Sequence, residues 1–278
     1  MSDLHLSIYI LALKDSKRVQ NITLDLKNHY ENFTVVEAVD GNKLSNDYIS
    51  DQYDLKGTFA RLGYSINQNL IACALGHKKI YREFLKTNSN WALIFEEDSR
   101  LKSNFSPECI NRLCEAHFAK PTIIQLFTRS TRLAKRNNWV KISENVFLFP
   151  FLARLIGSGT SAYLINREAA LLGSTNKKII GPPDWPNWHT KVSFFGVFPW
   201  LTFEENTGSQ IPKFDNSKLN IWLRWLSIAT GIHYFKYFRN YSSPKTYFLE
   251  EVLPLANYAI WRIRGSKYYS TDESPQII

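Results

Sequence analysis

Glu96, Glu97 and Asp98 set three carboxylates in a row directly after the apolar run Trp91-Ala92-Leu93-Ile94-Phe95. Adjacent acids repel one another unless a cation sits among them, and Mg2+ or Mn2+ held by one or two carboxylates plus substrate phosphates is ordinary chemistry for such a cluster. A solvated acidic turn is the plain alternative, since charged residues are mostly surface residues. The run in front separates the two readings. Five apolar residues in succession read as a strand buried on both faces of a sheet, and in α/β proteins ligands bind beyond the carboxyl ends of such strands. The pattern favours a metal–phosphate site.

Other ways of holding phosphate or activating a nucleophile are missing from the chain. No GxGxxG follows the first strand, there is no GxxxxGK[ST] loop, and no GxSxG elbow occurs. The six histidines show neither HxH nor HxxxH spacing, which leaves a histidine zinc site unsupported. Cys73, Cys109 and Cys114 form no CxxC pair, and three is a poor number for a disulfide framework, so a reducing compartment is expected. The opening Met1-Ser2-Asp3-Leu4-His5 lacks a basic leader, and no stretch reaches the ~18–20 uncharged apolar residues of a membrane span.

Strand and helix signals alternate through the first two-thirds of the 278 residues. Leu6 to Leu13 reads as a strand, and Asp15-Ser16 offers an N-cap for a helix through Ile22 and Leu26. Phe33 to Val36 reads as a second strand leading to Ala38-Val39-Asp40-Gly41. After a polar, irregular stretch, Asn67 to Leu85 carries Leu70, Ile71, Ala74, Leu75, Tyr81, Phe84 and Leu85 on one helical face. Ser106-Pro107-Glu108 starts another helix. Thr122 to Phe127 and Gly159 to Ile165 read as strands, the second followed by a short helix from Asn166. Such alternation predicts an α/β layered domain with a central, mostly parallel sheet.

Near Lys213 the texture changes, and a boundary there divides the chain into a catalytic domain, 1–212, and a helical basic extension, 213–278. Lys213 to Lys267 holds nine Lys/Arg against Asp215, Glu250 and Glu251, with twelve aromatics among them. Basic residues mixed with Trp and Tyr suit an anionic bilayer surface. Single-stranded nucleic acid, where bases stack on aromatics, and a helical bundle with a basic outer face are the other readings.

The blocks Cys73-Ala74-Leu75-Gly76-His77, Phe95-Glu96-Glu97-Asp98 and Gly159-Thr160-Ser161-Ala162-Tyr163-Leu164-Ile165-Asn166-Arg167-Glu168-Ala169, taken in order, resemble glycosyltransferase family 25. That family includes bacterial lipooligosaccharide β-galactosyltransferases and collagen galactosyltransferases. Ile10 to Leu13 through Arg18, then Ala38 to Gly41, is similar to its N-terminal nucleotide-binding segment. The likeness runs over about residues 6 to 205. Ala72 and Gly76 stand where the family usually has Gly and Ser, Glu97 where it has Asp, and Ala12 where Asn is common.

The resemblance implies a GT-A-like fold, a UDP-sugar donor (galactose most often), a divalent cation and inversion at the anomeric carbon. On that basis Glu96 and Asp98 are the metal-binding acids, and Arg18, Asp40, His77 and Glu97 serve the donor. The residue types alone also allow Arg18 to be an exposed helix arginine, Asp40 a turn residue and His77 a buried structural histidine. An inverting transfer needs a base for the acceptor hydroxyl. Asp184, in the loop Gly181-Pro182-Pro183-Asp184-Trp185, matches the family's Asp after the Gly-Thr block and is the candidate, with Glu204 and Glu205 as alternatives and a plain turn Asp as the bland reading.

The expected partners are a lipid-linked oligosaccharide or other glycan acceptor and an anionic membrane surface, with no nucleic acid. The location implied is the cytoplasm, peripheral on the cytosolic face of the inner membrane. A metal-dependent phosphoester hydrolase and a non-enzymatic membrane- or nucleic-acid-binding module are the competing functions. The first lacks a second acidic or histidine cluster. The second is separated by metal-dependent UDP binding.

Overall fold

The computed structural model describes residues 5–62, 66–116, 120–128, 139–151, 159–183, 188 and 191–205. Asp184 and the segment 213–278, with its boundary, lie outside the described residues.

An eight-stranded sheet forms the centre. In chain order its strands are β1 (Leu6–Ala12), β2 (Thr34–Glu37), β3 (Trp91–Glu96), β5 (Thr122–Gln125), β6 (Val140–Lys141), β7 (Phe147–Pro150), β8 (Ala162–Asn166) and β9 (Ser193–Phe198). Across the sheet they lie in the order β2-β1-β3-β8-β5-β9-β7-β6. β1 runs parallel to β2 and β3, and β5 parallel to β9, whereas β8 is antiparallel to both β3 and β5. With β7 also reversed against β9 and β6, six of the eight strands point one way. The sheet is therefore mixed and mostly parallel, as the alternation of signals predicts. β4 (Ser99–Leu101) and β10 (Thr202–Glu204) form a separate antiparallel pair.

Apolar runs become two-sided strands here. Ile8, Ile10 and Ala12 of β1 enter one core with Leu93 and Phe95 of β3, joined by Ile22 and Leu26 of α1 (Val19–Lys27) and Ile110 and Leu113 of α5 (Pro107–Glu115). The alternate residues Tyr9, Leu11, Ala92 and Ile94 face the other core. There they meet Ile80, Tyr81 and Phe84 of α4 (Gln68–Leu85) and Ala169 and Ala170 of α6 (Arg167–Thr175). The period of two along each strand is what lets one run serve both layers.

Helix starts follow their capping chemistry. Asn67 accepts from Leu70 N at 2.9 Å, and Ser106 accepts from Cys109 N at 3.1 Å with Pro107 at the first helical position. Asn166 accepts from Ala169 N at 3.1 Å. The first helix departs from expectation. Asp15 adopts a φ of 63°, α1 begins only at Val19, and its N-cap Arg18 makes no side-chain cap bond. Instead, Ser16 Oγ accepts from Arg18 N at 3.3 Å. The stretch between residues 41 and 62 is more ordered than its polarity implies. It forms a 3-10 turn, Gly41–Lys43, and two short helices, α2 (Asn46–Gln52) and α3 (Leu55–Leu62). Ile49 and Tyr53 from this stretch pack with Leu70, Ile71, Ala74 and Leu75 of α4 and with Ile179 in a third apolar cluster.

Candidate active site at the carboxyl edge of β1, β2 and β3

Three parallel neighbours deliver their carboxyl ends to one place. Leu11 of β1 is paired with Glu96 of β3, and Ala12 with Glu37 of β2. The chain leaving β2 stays alongside β1, since Ala38 N donates to Ala12 O at 2.7 Å. Leu13, Ala38 to Asp40 and Glu96 to Asp98 thus emerge together.

β3 ends at Glu96 and the chain turns there, so the three acids do not share one direction. Glu97 faces β1 and α1: its Oε2 accepts from Leu13 N at 2.9 Å and its Oε1 from Arg18 Nη1 at 3.4 Å. Asp98 Oδ2 accepts from Arg18 Nη2 at 2.6 Å. Arg18 is only 23% exposed and lies across two acids, so it is not the exposed helix arginine of the bland reading. It neutralises part of the repulsion that three adjacent carboxylates carry.

Glu96 turns toward α4. Its Oε1 accepts a hydrogen bond from Thr160 Oγ1, lies 3.2 Å from His77 Nε2 and 3.9 Å from Cys73 Sγ. Cys73 and His77 are one helical turn apart on α4. Gly76 lets that helix come close, because a Cβ there would sit 2.9 Å from Leu11 Cδ2. Behind His77, Nδ1 is 2.8 Å from Tyr163 Oη, which is 3.0 Å from Tyr81 Oη. Burial raises the pKa of both tyrosines, so their hydroxyls stay protonated throughout the physiological range. His77 itself is 2% exposed. It is buried, and it touches the acidic cluster through Glu96.

Two adjoining hollows meet at these residues. The smaller, about 130 Å³, has Arg18, Asp40, Asn69, Cys73, Glu96, Glu97 and Asp98 in its wall. The larger, about 670 Å³, is lined by Lys14, Asp40, Asn42, Lys43, Ser45 and Tyr48 among others. Leu13, Ala38, Val39 and Asp40 belong to both. Asp40 also caps the 3-10 turn, with Oδ1 accepting from Asn42 N at 3.0 Å, so it is a turn residue and a cavity residue at once.

The alternatives considered for the base fare differently. Glu205 is bound to Arg100 Nη1 at 2.5 Å and to Asn21 Nδ2 at 2.9 Å, and these contacts hold its carboxyl below the usual carboxylate range. A carboxylate tied up in this way is a poor proton acceptor. Arg100 continues to Asp25 through Nε at 2.7 Å, which fastens β4 to α1 behind the acidic cluster. Glu204 lies on β10 beside this network.

Both flanks of Asp184 are anchored. Before it, Gly181 N donates to Thr58 Oγ1 at 3.0 Å, Tyr53 Oη donates to Gly181 O, and Asp54 N donates to Ile179 O at 2.9 Å. After it, the buried Trp188 packs edge-on against Tyr81, with ring centroids 6.0 Å apart. Gly173 of α6 makes room for this contact, since a Cβ there would meet Tyr81 Cδ2 at 2.7 Å and Trp188 Cζ2 at 2.9 Å. Tyr81 is the same residue that leads through Tyr163 and His77 to Glu96.

Residues the sequence reading passed over complete the cluster. Cys73 and Thr160 both touch Glu96, and Tyr163 holds His77. A signal for one of them was present: Cys73 and His77 have the i, i+4 spacing that places two side chains on one helical face.

The family model for glycosyltransferase family 25 (LPS biosynthesis protein) matches residues 5–184. Comparison with solved structures gives, among others, a crystal structure of a glycosyltransferase involved in the glycosylation of the major capsid of PBCV-1. It is 11% identical over 60% of this chain and 63% of that one, under two-thirds of its length, with a TM-score of 0.29. No curated protein matches the chain. The family match spans well over half of the 278 residues, and the chain belongs to glycosyltransferase family 25.

Proposed function

From membership in glycosyltransferase family 25, we propose that this protein is an inverting glycosyltransferase that moves a hexose, galactose in the first instance, from a UDP-sugar to a glycan acceptor, with a divalent cation. The observation that carries this reading is the convergence of Arg18, Asp40, Glu96 and Asp98 on the wall of one hollow at the carboxyl edge of three parallel strands. The adjoining hollow of about 670 Å³ has the size of a small-molecule site, and its lining of Lys14, Asn42, Lys43 and Tyr48 supplies donors for a nucleoside diphosphate.

The donor set fits Mg2+ or Mn2+. Glu96 and Asp98 both line the same hollow, and hard cations of this kind take one or two carboxylates together with substrate phosphates. When bound, the cation would neutralise charge developing on the departing nucleoside diphosphate. Arg18, fixed between Glu97 and Asp98, holds a guanidinium at the start of α1, where it aligns the acids and would pair with a donor phosphate. Asp40 reaches the uridine ribose hydroxyls or the base from the rim shared by both hollows. Asp184 takes the acceptor hydroxyl proton in this reading, on its match to the family's acid.

The acceptor in this reading is a lipid-linked oligosaccharide, and the basic, aromatic segment 213–267 brings the enzyme to an anionic cytosolic membrane face. No helix among the described residues is long and apolar enough to cross a membrane. A thermal-shift panel of UDP-, GDP- and CMP-sugars, with and without Mn2+, tests the donor, because a ligand that binds only the native state raises the melting temperature. A Mn2+-dependent rise with UDP-galactose, followed by UDP release on adding a glycan acceptor, is expected. Phosphoester hydrolysis without sugar transfer would instead support the hydrolase alternative.

A further inference from the structure

We propose that Cys73, His77 and Glu96 form a binding site for a borderline-soft divalent cation, Zn2+ or Co2+, separate in its ligand chemistry from the all-oxygen pair Glu96 and Asp98. Sγ of Cys73, a ring nitrogen of His77 and a carboxylate oxygen of Glu96 all lie within 4.8 Å of one another, and no other such group of three or more occurs among the described residues. Tetrahedral ligand atoms at about 2.0–2.3 Å from one ion lie ~3.3–3.8 Å apart, close to the 3.2 and 3.9 Å that separate Glu96 Oε1 from His77 Nε2 and Cys73 Sγ. Thiolate and imidazole donors select Zn2+ and its neighbours over Mg2+ and Mn2+. Three protein ligands leave a fourth tetrahedral position open, and Cys73 and Glu96, both partly exposed, border the hollow from which it would be filled.

A second observation points the same way. Histidines that ligate metals almost always hold their other ring nitrogen in a hydrogen bond, which sets the tautomer. His77 Nδ1 has this partner in Tyr163, itself followed by Tyr81. In the tautomer with Nε2–H toward Glu96, Tyr163 donates to Nδ1. With an ion on Nε2, the ring keeps one proton, now on Nδ1, and donates it to Tyr163 Oη. The Tyr163 hydroxyl then rotates to donate to Tyr81. Neither state requires a charge on tyrosine. The only proton released is that of the Cys73 thiol, which passes to solvent. Cys109 and Cys114 belong to the apolar core on the opposite face of the sheet and supply an internal control.

The test is Co2+ titration of the full chain without nucleotide or sugar, so its result is independent of whether the transferase reading holds. One Co2+ per chain with a near-ultraviolet thiolate-to-cobalt band is expected, displaced by equimolar Zn2+ and untouched by excess Mg2+. Cys73→Ser should abolish the band and weaken Zn2+ binding at least tenfold, with its melting curve reporting that the fold is kept. Alkylation followed by peptide mapping reads the same site in the unaltered protein: Zn2+ should protect Cys73 from iodoacetamide. Visible cobalt bands without the thiolate band, a band that survives Cys73→Ser, or Cys73 alkylated equally with and without Zn2+ would each overturn the assignment.

Discussion

Arg18 and Asp98 stand 80 positions apart and meet at 2.6 Å, with the guanidinium reaching Glu97 as well. The pairing joins the start of α1 to the exit of β3, so the acidic cluster is held by the helix that follows β1. Asp98 thus has two duties in the proposed mechanism: it locks Arg18 and offers oxygen to a cation.

Asp98→Asn keeps the size of the side chain and removes its charge. Transfer should fall on the order of 10²–10³-fold, the size of losing one electrostatic contact to developing charge. Circular dichroism should show the fold intact. Normal turnover by this variant in saturating Mn2+ would remove Asp98 from the metal assignment.

Asp184→Asn tests the base. A positioned base contributes roughly 10²–10⁴-fold, so kcat should drop by that factor while UDP-sugar affinity, measured by calorimetry, stays nearly unchanged. Weakened donor binding with turnover preserved at saturation would make Asp184 a donor contact.

The Arg100–Glu205 pair gives a pH prediction. Arg100 and Asn21 hold the Glu205 carboxyl below its usual 4.5, so the pair's stabilisation is present above that value and is lost as pH falls through the lowered native pKa. Because these side chains are partly exposed, the contribution is about 1 kcal/mol or less, roughly 2–4 °C in melting temperature. The difference between wild type and Arg100→Gln should be largest near pH 7 and shrink in acid below 4.5. A gap that widens in acid would contradict the ion-pair account.

Attachment to membranes is tested by sedimentation. Each basic residue near an anionic surface contributes about 1 kcal/mol. The nine in 213–267 should therefore bring the protein down with anionic liposomes at low salt and release it at high salt. Removal of 213–278 should abolish the effect. Intact protein that stays in the supernatant at low salt would refute the membrane role.

The parts of the fold that show in the sequence are those where burial repeats at a regular spacing. Trp91 to Phe95 shows plainly because both faces of β3 are covered, and α4 shows because its apolar residues return every three or four positions. α2 and α3 are hidden by their exposed apolar residues, Tyr48, Leu55 and Phe59, which blur any face. The reversal of β8 also leaves no trace, since a central strand reads the same in either direction. At the site, the acids and Arg18 stand out by type. Cys73 does not, because its partner in chemistry is a histidine one turn away and a glutamate 23 positions on, and searches for Cys–Cys or His–His pairs pass over it.

The place of β8 also bears on how the chain folds while it is being made. β3 and β5 each need β8 as a neighbour, yet Ala162–Asn166 is synthesised well after Thr122–Gln125. At about 5–20 residues per second the delay on the ribosome is roughly 2–7 s. During that interval two apolar strands present bare edges, and such edges are templates for association with other chains. Yield of soluble protein should therefore depend on translation speed and chaperone supply between these two strands more than anywhere earlier in the chain.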